Sequence, residues 1–332
     1  MRFLFIALGL IVAGCASAPP PMPVSDKEFE VPVALADRFK VQEENAIPVA
    51  TPAPEAPVPV KGKKEKKGKK AVNIAPKAPV KAPYVWPNRW PMSPFFQAGE
   101  RYKFDITYFG ATAGELMMEL LPVKKVADRN SYHIRATART TSVFSLFYRM
   151  NDVAESFVDT ESLVSHKFTL KLDESMQQRD VLELYDQRNN TVHYWSKLDH
   201  KKKGKKQDQA EIPTQPFTQD GISAFYYLRT LPLKMGDVHE FPVVTNGKLR
   251  NVRIEVVRRE TIKTKVGEFP AIVVKPDVVL DGVLKSYGDS FVWISDDDRR
   301  IILKIDAKIK VGSVIAYLKE HSYGDKPTTA AR

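Results

Sequence analysis

A chain of 332 residues, 43% hydrophobic and 27% charged, is long enough for about two domains. One cysteine excludes an internal disulfide framework and a Cys-based zinc site. No apolar run reaches the ~18 residues of a spanning helix, and the net charge of +11 is concentrated in two lysine runs rather than spread along the chain.

Arg2 is a short positive region, and Phe3 to Ala13 is an apolar stretch too short to span a bilayer. It ends in Val12-Ala13-Gly14-Cys15. These four residues resemble a bacterial lipobox. The resemblance implies a signal peptide over 1–14, cut before Cys15, and a new N-terminus acylated on sulfur and nitrogen, palmitate included. Several acyl chains anchor stably where one is reversible, at about 0.8 kcal/mol per buried CH₂. An ordinary cleaved signal with a chance cysteine is the alternative. Ala16 follows the cysteine, where an Asp would resemble the enterobacterial signal for inner-membrane retention. The expected placement is therefore the cell envelope, lipid-anchored in the outer membrane, with the domain facing the periplasm.

From Cys15 to Pro94 the chain reads as a disordered Pro/Lys-rich tether, since 16 of the 24 prolines lie there and favour extended polyproline II. At about 3.1 Å per residue such a tether could stretch to roughly 250 Å. Ser25 to Asn45 is the exception: charged, with scattered Phe29, Val31, Leu35 and Phe39, a short helix or a partner-binding segment. The first lysine run is Lys61, Lys63, Lys64, Lys66, Lys67, Lys69 and Lys70; the second is Lys201, Lys202, Lys203, Lys205 and Lys206. Both are expected to contact anionic polymer or headgroups, or else to be solvated runs. Nucleic acid is excluded as a partner, because the runs lack arginine and interleaved aromatic residues.

Residues 95–324 read as antiparallel β, followed by a disordered tail over 325–332. Tyr102, Phe104, Ile106 and Tyr108 alternate with polar residues, and the pattern recurs at Leu116–Leu120, Tyr132–Ala136, Phe168–Leu172, Val181–Tyr185, Val192–Trp195, Val252–Val256, Ile301–Ile309 and Val314–Leu318. Turn signals such as Asn246-Gly247, Val266-Gly267 and Asp296-Asp297-Asp298 separate the runs. About twelve short strands predict a mainly β fold: a strongly curved antiparallel sheet or partly open barrel with one or two short helices.

Two segments break the alternation. Gln219 to Leu231 predicts a helix capped by Thr218 or Asp220 and stopped by Pro232. Ser142 to Tyr148 predicts a short helix or wide loop. Core packing is the plain reading of both. The sharper one places Phe144, Leu146, Phe147, Phe225 and Tyr226 around an apolar cavity, since small barrels hold one apolar ligand.

Tyr102 to Gly114, Thr218-Gln219-Asp220-Gly221-Ile222-Ser223-Ala224-Phe225-Tyr226-Tyr227-Leu228-Arg229, Asp297-Asp298-Arg299-Arg300 and Lys308-Ile309-Lys310-Val311-Gly312-Ser313 together resemble the bacterial envelope family called domain of unknown function 3108. The resemblance implies an exported β-rich domain of Gram-negative bacteria. It implies no established activity, so no catalytic residues carry over. The lysines around Lys201 read as a departure from the family pattern, at a hairpin tip.

Chemistry is thin in the sequence. His133, His166, His193, His200, His239 and His321 show no ligand spacing, and no nucleophile or nucleotide fingerprint occurs. Asp296-Asp297-Asp298 reads as a polar hairpin turn rather than a calcium loop. Glu100, Asp105 and Glu115 form a carboxylate group only if the sheet gathers them. No cofactor or metal is expected. The expected function is a non-catalytic envelope lipoprotein whose β-domain binds an apolar or envelope ligand, as a lipid or lipoprotein carrier does. The alternative is a structural or interaction lipoprotein supporting envelope assembly through tether and lysine runs; a hydrolase comes third.

Overall fold

The computed structural model describes residues 29–43, 86, 96–280, 283–285, 289–309 and 312–324. The signal peptide, Cys15, the Lys61–Lys70 run and the 325–332 tail lie outside the described residues.

Sixteen strands form one sheet, mainly β as the alternation predicts. A meander runs through β2 (Glu100–Tyr108), β3 (Ala111–Val126), β4 (Arg129–Thr140), β5 (Asn151–Asp159), β6 (Ser165–Asp173), β7 (Gln177–Asp186), β8 (Thr191–His200) and β9 (Gly204–Pro213). A second run returns through β10 (Val238–Thr245), β11 (Lys248–Thr264), β12 (Gly267–Leu280), β14 (Phe291–Ser295), β15 (Ile302–Lys308) and β16 (Ser313–Tyr323), with β13 (Val283–Lys285) beside β12. β16 pairs with β2, which leaves β9 and β10 as the two ends of the ladder order. One core unites Phe104, Leu120, Ile134, Leu170, Tyr185, Val243, Ile272 and Leu318, side chains from strands all round this order. The sheet is therefore rolled around one interior and left unclosed between β9 and β10.

Up-and-down order fixes what lies at each end. The β2–β3, β4–β5, β6–β7 and β8–β9 connections share one end, here the lower, and the β3–β4, β5–β6 and β7–β8 turns share the upper. The β15–β16 turn joins the lower end because Val314 pairs with Tyr108.

Two strands escape the alternation rule. Every residue of β5 is buried, on both faces, so it shows no polar side. β9 is nearly all exposed, so it shows no apolar side. The lysines around Lys201 are thus more than a hairpin tip: Lys205 and Lys206 open a ten-residue strand at the end of the sheet, where lysine discourages edge-to-edge pairing. Pro242 is tolerated in β10 because that strand is the other end.

The helix expected from Gln219 begins later, as α3 (Ser223–Thr230). Gln219 forms a parallel bridge with Val243, its N–H donating to Pro242 O at 2.9 Å, and so occupies the free edge of β10. Asp220 caps the start of α3: its Oδ1 accepts the N–H groups of Ile222 and Ser223 at 2.7 and 2.8 Å. α3 lies inside the rolled sheet, with Ile222, Tyr226, Tyr227 and Leu228 in the core. The second expected segment forms α2 (Ser142–Ser145), where Thr141 Oγ1 accepts from Phe144 N–H at 3.3 Å.

The expected tether over 15–94 is corrected in part. Residues 29–43 pack on the outside of the sheet, with α1 (Val33–Arg38) and β1 (Gln42–Glu43). Phe39 and Phe29 close over Val126, Phe157, Leu182, Leu184 and Trp195, each ring contributing roughly 2–3 kcal/mol by burial. Arg38 donates twice to Asp186, at 2.6 and 2.9 Å, and Gln42 and Glu43 pair with Lys125 and Lys124. Trp86 is a second attachment. Its ring meets His166 edge-on at 5.4 Å and sits 4.9 Å from the Arg129 guanidinium. Glu43 and Trp86, on either side of the first lysine run in the sequence, both touch the domain. Between Cys15 and Phe29 lie the 13 residues 16–28, at most about 45 Å of chain.

Candidate functional site

Where the cavity is expected, the lumen holds α3. Arg229, on the last turn of α3, is buried and bidentate to Glu100 at 2.6 and 3.1 Å. It also donates to Arg300 O and Arg299 O at 2.9 and 3.1 Å, and lies over the rings of Phe96, Tyr226 and Tyr102. Burial lowers the Arg229 pKa, but the charge and hydrogen bonds of Glu100, with the Tyr102 and Tyr226 hydroxyls, together outweigh it and keep the guanidinium charged. Glu100 is thereby separated from Asp105 and Glu115. Those two are register partners that share Lys319, with Lys265 also on Asp105. Burial alone would raise Asp105; the hydrogen bonds from Lys265 and Lys319 outweigh it and lower the carboxyl. Such neutralised carboxylates serve poorly as an acid–base pair.

At its other end α3 sits on a buried polar network. Asp220 accepts Ser156 and Ser165 hydroxyls at 2.5 and 2.8 Å, in addition to the two capping N–H groups. Beside it Glu183 accepts from Tyr185 O–H at 2.5 Å. Burial raises the Glu183 carboxyl to about 8, against an ordinary 4.5. Glu183, Phe168, Leu170, Val181, Gly221 and Val244 line a cavity of ≈ 10 Å³, room for about one water. An acyl chain needs a cleft of roughly 300 Å³ or more.

The five residues expected around a cavity are split. Tyr226 is in the core and Phe225 packs against it. Phe144 is half-buried, while Leu146 and Phe147 are 44% and 55% exposed at the lower end. Lys201 to Lys203 form the β8–β9 turn at that same end, and Lys205 and Lys206 face Asp199 and Asp208 at 3.6 and 2.7 Å. The sequence did not single out the outer apolar face under residues 29–43. Its signal was present: Leu182, Leu184, Phe157 and Trp195 fall on the side of their strands opposite to Val181, Tyr185 and Tyr194, so both faces needed cover.

The remaining clusters are clasps. Burial would raise Asp159, but His166 Nε2 at 3.1 Å and Arg129 Nε at 2.7 Å hold it well below the usual carboxylate range. It also accepts the N–H groups of Glu161 and Ser162 in the β5–β6 turn. His166 Nδ1 has no hydrogen-bond partner among the described residues, so no nucleophile is joined to the pair. Asp297 accepts the Arg299 and Arg300 N–H groups, an aspartate turn rather than a cation loop. Among the described residues no group of three His, Cys, Asp or Glu is placed to hold a metal, and no helix is long and apolar enough to cross a membrane.

No curated protein matches the chain. Several solved structures resemble it, three of them as follows. A beta-barrel-like protein of domain of unknown function DUF1849 from Brucella abortus is 10% identical, covers 69% of this chain and 99% of its own, and has a TM-score of 0.46. A lipoprotein candidate from Parabacteroides distasonis is 11% identical, with coverage of 69% and 98% and a TM-score of 0.30. A candidate exported protein with a YmcC-like fold from Bacteroides fragilis is 11% identical, with coverage of 68% and 97% and a TM-score of 0.29. The profile of one family spans residues 103–319, nearly all of the rolled sheet, and the chain belongs to that family, described as protein of unknown function DUF3108.

Proposed function

We propose that this protein is a non-catalytic envelope lipoprotein, anchored through Cys15 in the outer membrane, whose β-domain works through its outer surface as an interaction module. The observation that carries the reading is the helix packed inside the rolled sheet. α3 lies inside the sheet, Arg229 is locked to Glu100, and the cavity at Glu183 has room for about one water. A module of this kind presents surface rather than storing ligand. The packed segment 29–43 adds to this, because it keeps the domain within a short reach of the anchor.

The carrier reading keeps one observation in its favour. The sheet is unclosed between β9 and β10, and the Glu183 cavity is lined by Val244 of β10. Parting of that seam would enlarge it. Native mass spectrometry of the protein, gently extracted from its own membranes, separates the two. The interaction reading expects the mass of the acylated chain alone. One lipid held non-covalently per chain, and released on activation, would establish carriage instead. Labelling with a palmitate analogue tests the anchor: the label is expected on the wild type and lost in Cys15→Ser.

A further inference from the structure

Four of the large exposed apolar side chains lie at the lower end. Phe109, 73% exposed, tips the β2–β3 turn with a φ of 48°. Val143, 64% exposed, stands on α2 with Leu146 and Phe147 just beyond. The segments are neighbours: Thr141 N–H donates to Ala113 O at 3.0 Å, two residues past the pair Tyr108–Ala111 that closes the Phe109 turn. On the far side of α2, Ser175 N–H donates to Arg149 O at 2.9 Å and Lys201 N–H to Met176 O at 3.0 Å. The lysine turn Lys201–Lys203 therefore borders the same end, and exposed Arg139 and Lys308 lie at it too. The surface is a set of tips, not a groove.

We propose that this lower end docks on an anionic lipid bilayer, with Phe109, Val143, Leu146 and Phe147 entering the headgroup–acyl boundary and Lys201–Lys203 facing the headgroup phosphates. Apolar tips bordered by basic residues combine the two forces that hold a protein in the interface plane: apolar burial and attraction to anionic lipid. The length of chain outside the packed domain favours a bilayer as the occupant. With residues 29–43 fixed on the sheet, only residues 16–28 separate Cys15 from Phe29, so the domain stays within about 45 Å of its acyl chains. The point of attachment agrees. Lys197 lies 5.5 Å over the Phe29 ring, and through its register partners Asp180, Lys171, Val153 and Thr137 it is level with Met117. Glu43 is level with Lys124, farther from the Phe109 turn. The leash thus leaves the domain on the side nearer the apolar tips. Tethering then converts a weak surface affinity into steady contact.

The inference rests on the anchored reading, and the readouts separate the two. Full-length protein is reconstituted in vesicles of phosphatidylcholine with a minority of phosphatidylglycerol. Single variants Phe109→Cys, Phe147→Cys and, at the upper end, Glu161→Cys each carry an environment-sensitive nitrobenzoxadiazole probe. Flotation reports the anchor; the probes report the docked end. The expected result is a several-fold, blue-shifted rise at 109 and 147, none at 161, and loss of most of that rise in pure phosphatidylcholine or with Lys201, Lys202 and Lys203 changed to Glu. Probes at 109 and 147 as aqueous as the one at 161, on protein that floats, would overturn the proposal. So would a rise that appears without vesicles as protein concentration increases, since a second copy would then cover the tips. If the protein does not float, vesicles are added to it in solution: a rise at 109 and 147 still supports docking, and its absence refutes it.

Discussion

Two short helical segments pack on opposite faces of one sheet, and they are held by different forces. α3, inside, buries a guanidinium against a carboxylate and surrounds both with carbonyl groups and rings. α1, outside, is flanked by two phenylalanines and keeps its ion pair at the rim, where Arg38 is about one-third exposed. In a dry interior a charge pair fixes position because breaking it leaves an unpaired ion. On a wet face apolar area does the holding, and the ion pair contributes little. The inner segment should therefore fail as part of the whole fold, whereas the outer one should come away alone.

The largest expected effect is at Arg229. Arg229→Ala leaves Glu100 buried and unpaired, a cost of about 3–5 kcal/mol in urea unfolding. A loss under 1 kcal/mol would show that the lumen admits water. Next comes pH. Glu183 is protonated in both states below about 4.5; from there to about 8 the unfolded chain ionises it and the folded chain does not. Stability from this group is thus lost as pH rises, by on the order of 3 kcal/mol between pH 5 and 8. Glu183→Gln should flatten that slope, and an unchanged slope would place the group in water. Phe39→Ala should cost about 2–3 kcal/mol, the burial given up when the segment comes away, confined to the outside: amides of residues 39–43 and Lys124–Lys125 exchange faster while α3 keeps its protection. Loosening of α3 as well would merge the two regions into one. The smallest effect is Arg38→Ala, about 0.5–1 kcal/mol. Burial raises Asp186, but Arg38 and Asn189 outweigh it and hold it at about 2. The Arg38 contribution is therefore present above pH 4 and lost as pH falls toward 2.

The sequence was legible where a strand had one wet face. Tyr102, Phe104 and Ile106 announce β2 because Arg101 and Lys103 oppose them. β5 was illegible because its inner Ser156 answers Asp220 while its outer Glu155 answers His133 and Arg135, so both faces are buried and partly polar. β9 was illegible for the opposite reason, having almost no dry side. Phe29, Val31, Leu35 and Phe39 stood out as apolar residues in a charged stretch, but their partners Leu182, Leu184 and Trp195 are some 150 residues away, and no local pattern pairs them. Leu146 and Phe147 were expected to line a cavity and instead face solvent. Hydrophobicity alone does not say whether a side chain faces a lumen or bulk solvent; the parity of the meander does, and strand order is not written in the alternation.

Hydrogen–deuterium exchange on the full-length chain tests the central claim most directly. A filled lumen requires that the amides of Phe225 to Arg229 exchange as slowly as those of β5, while the Lys201–Lys203 turn exchanges within seconds. If α3 exchanged as fast as that turn, the interior would be open, and the outer surface would no longer be where this protein acts.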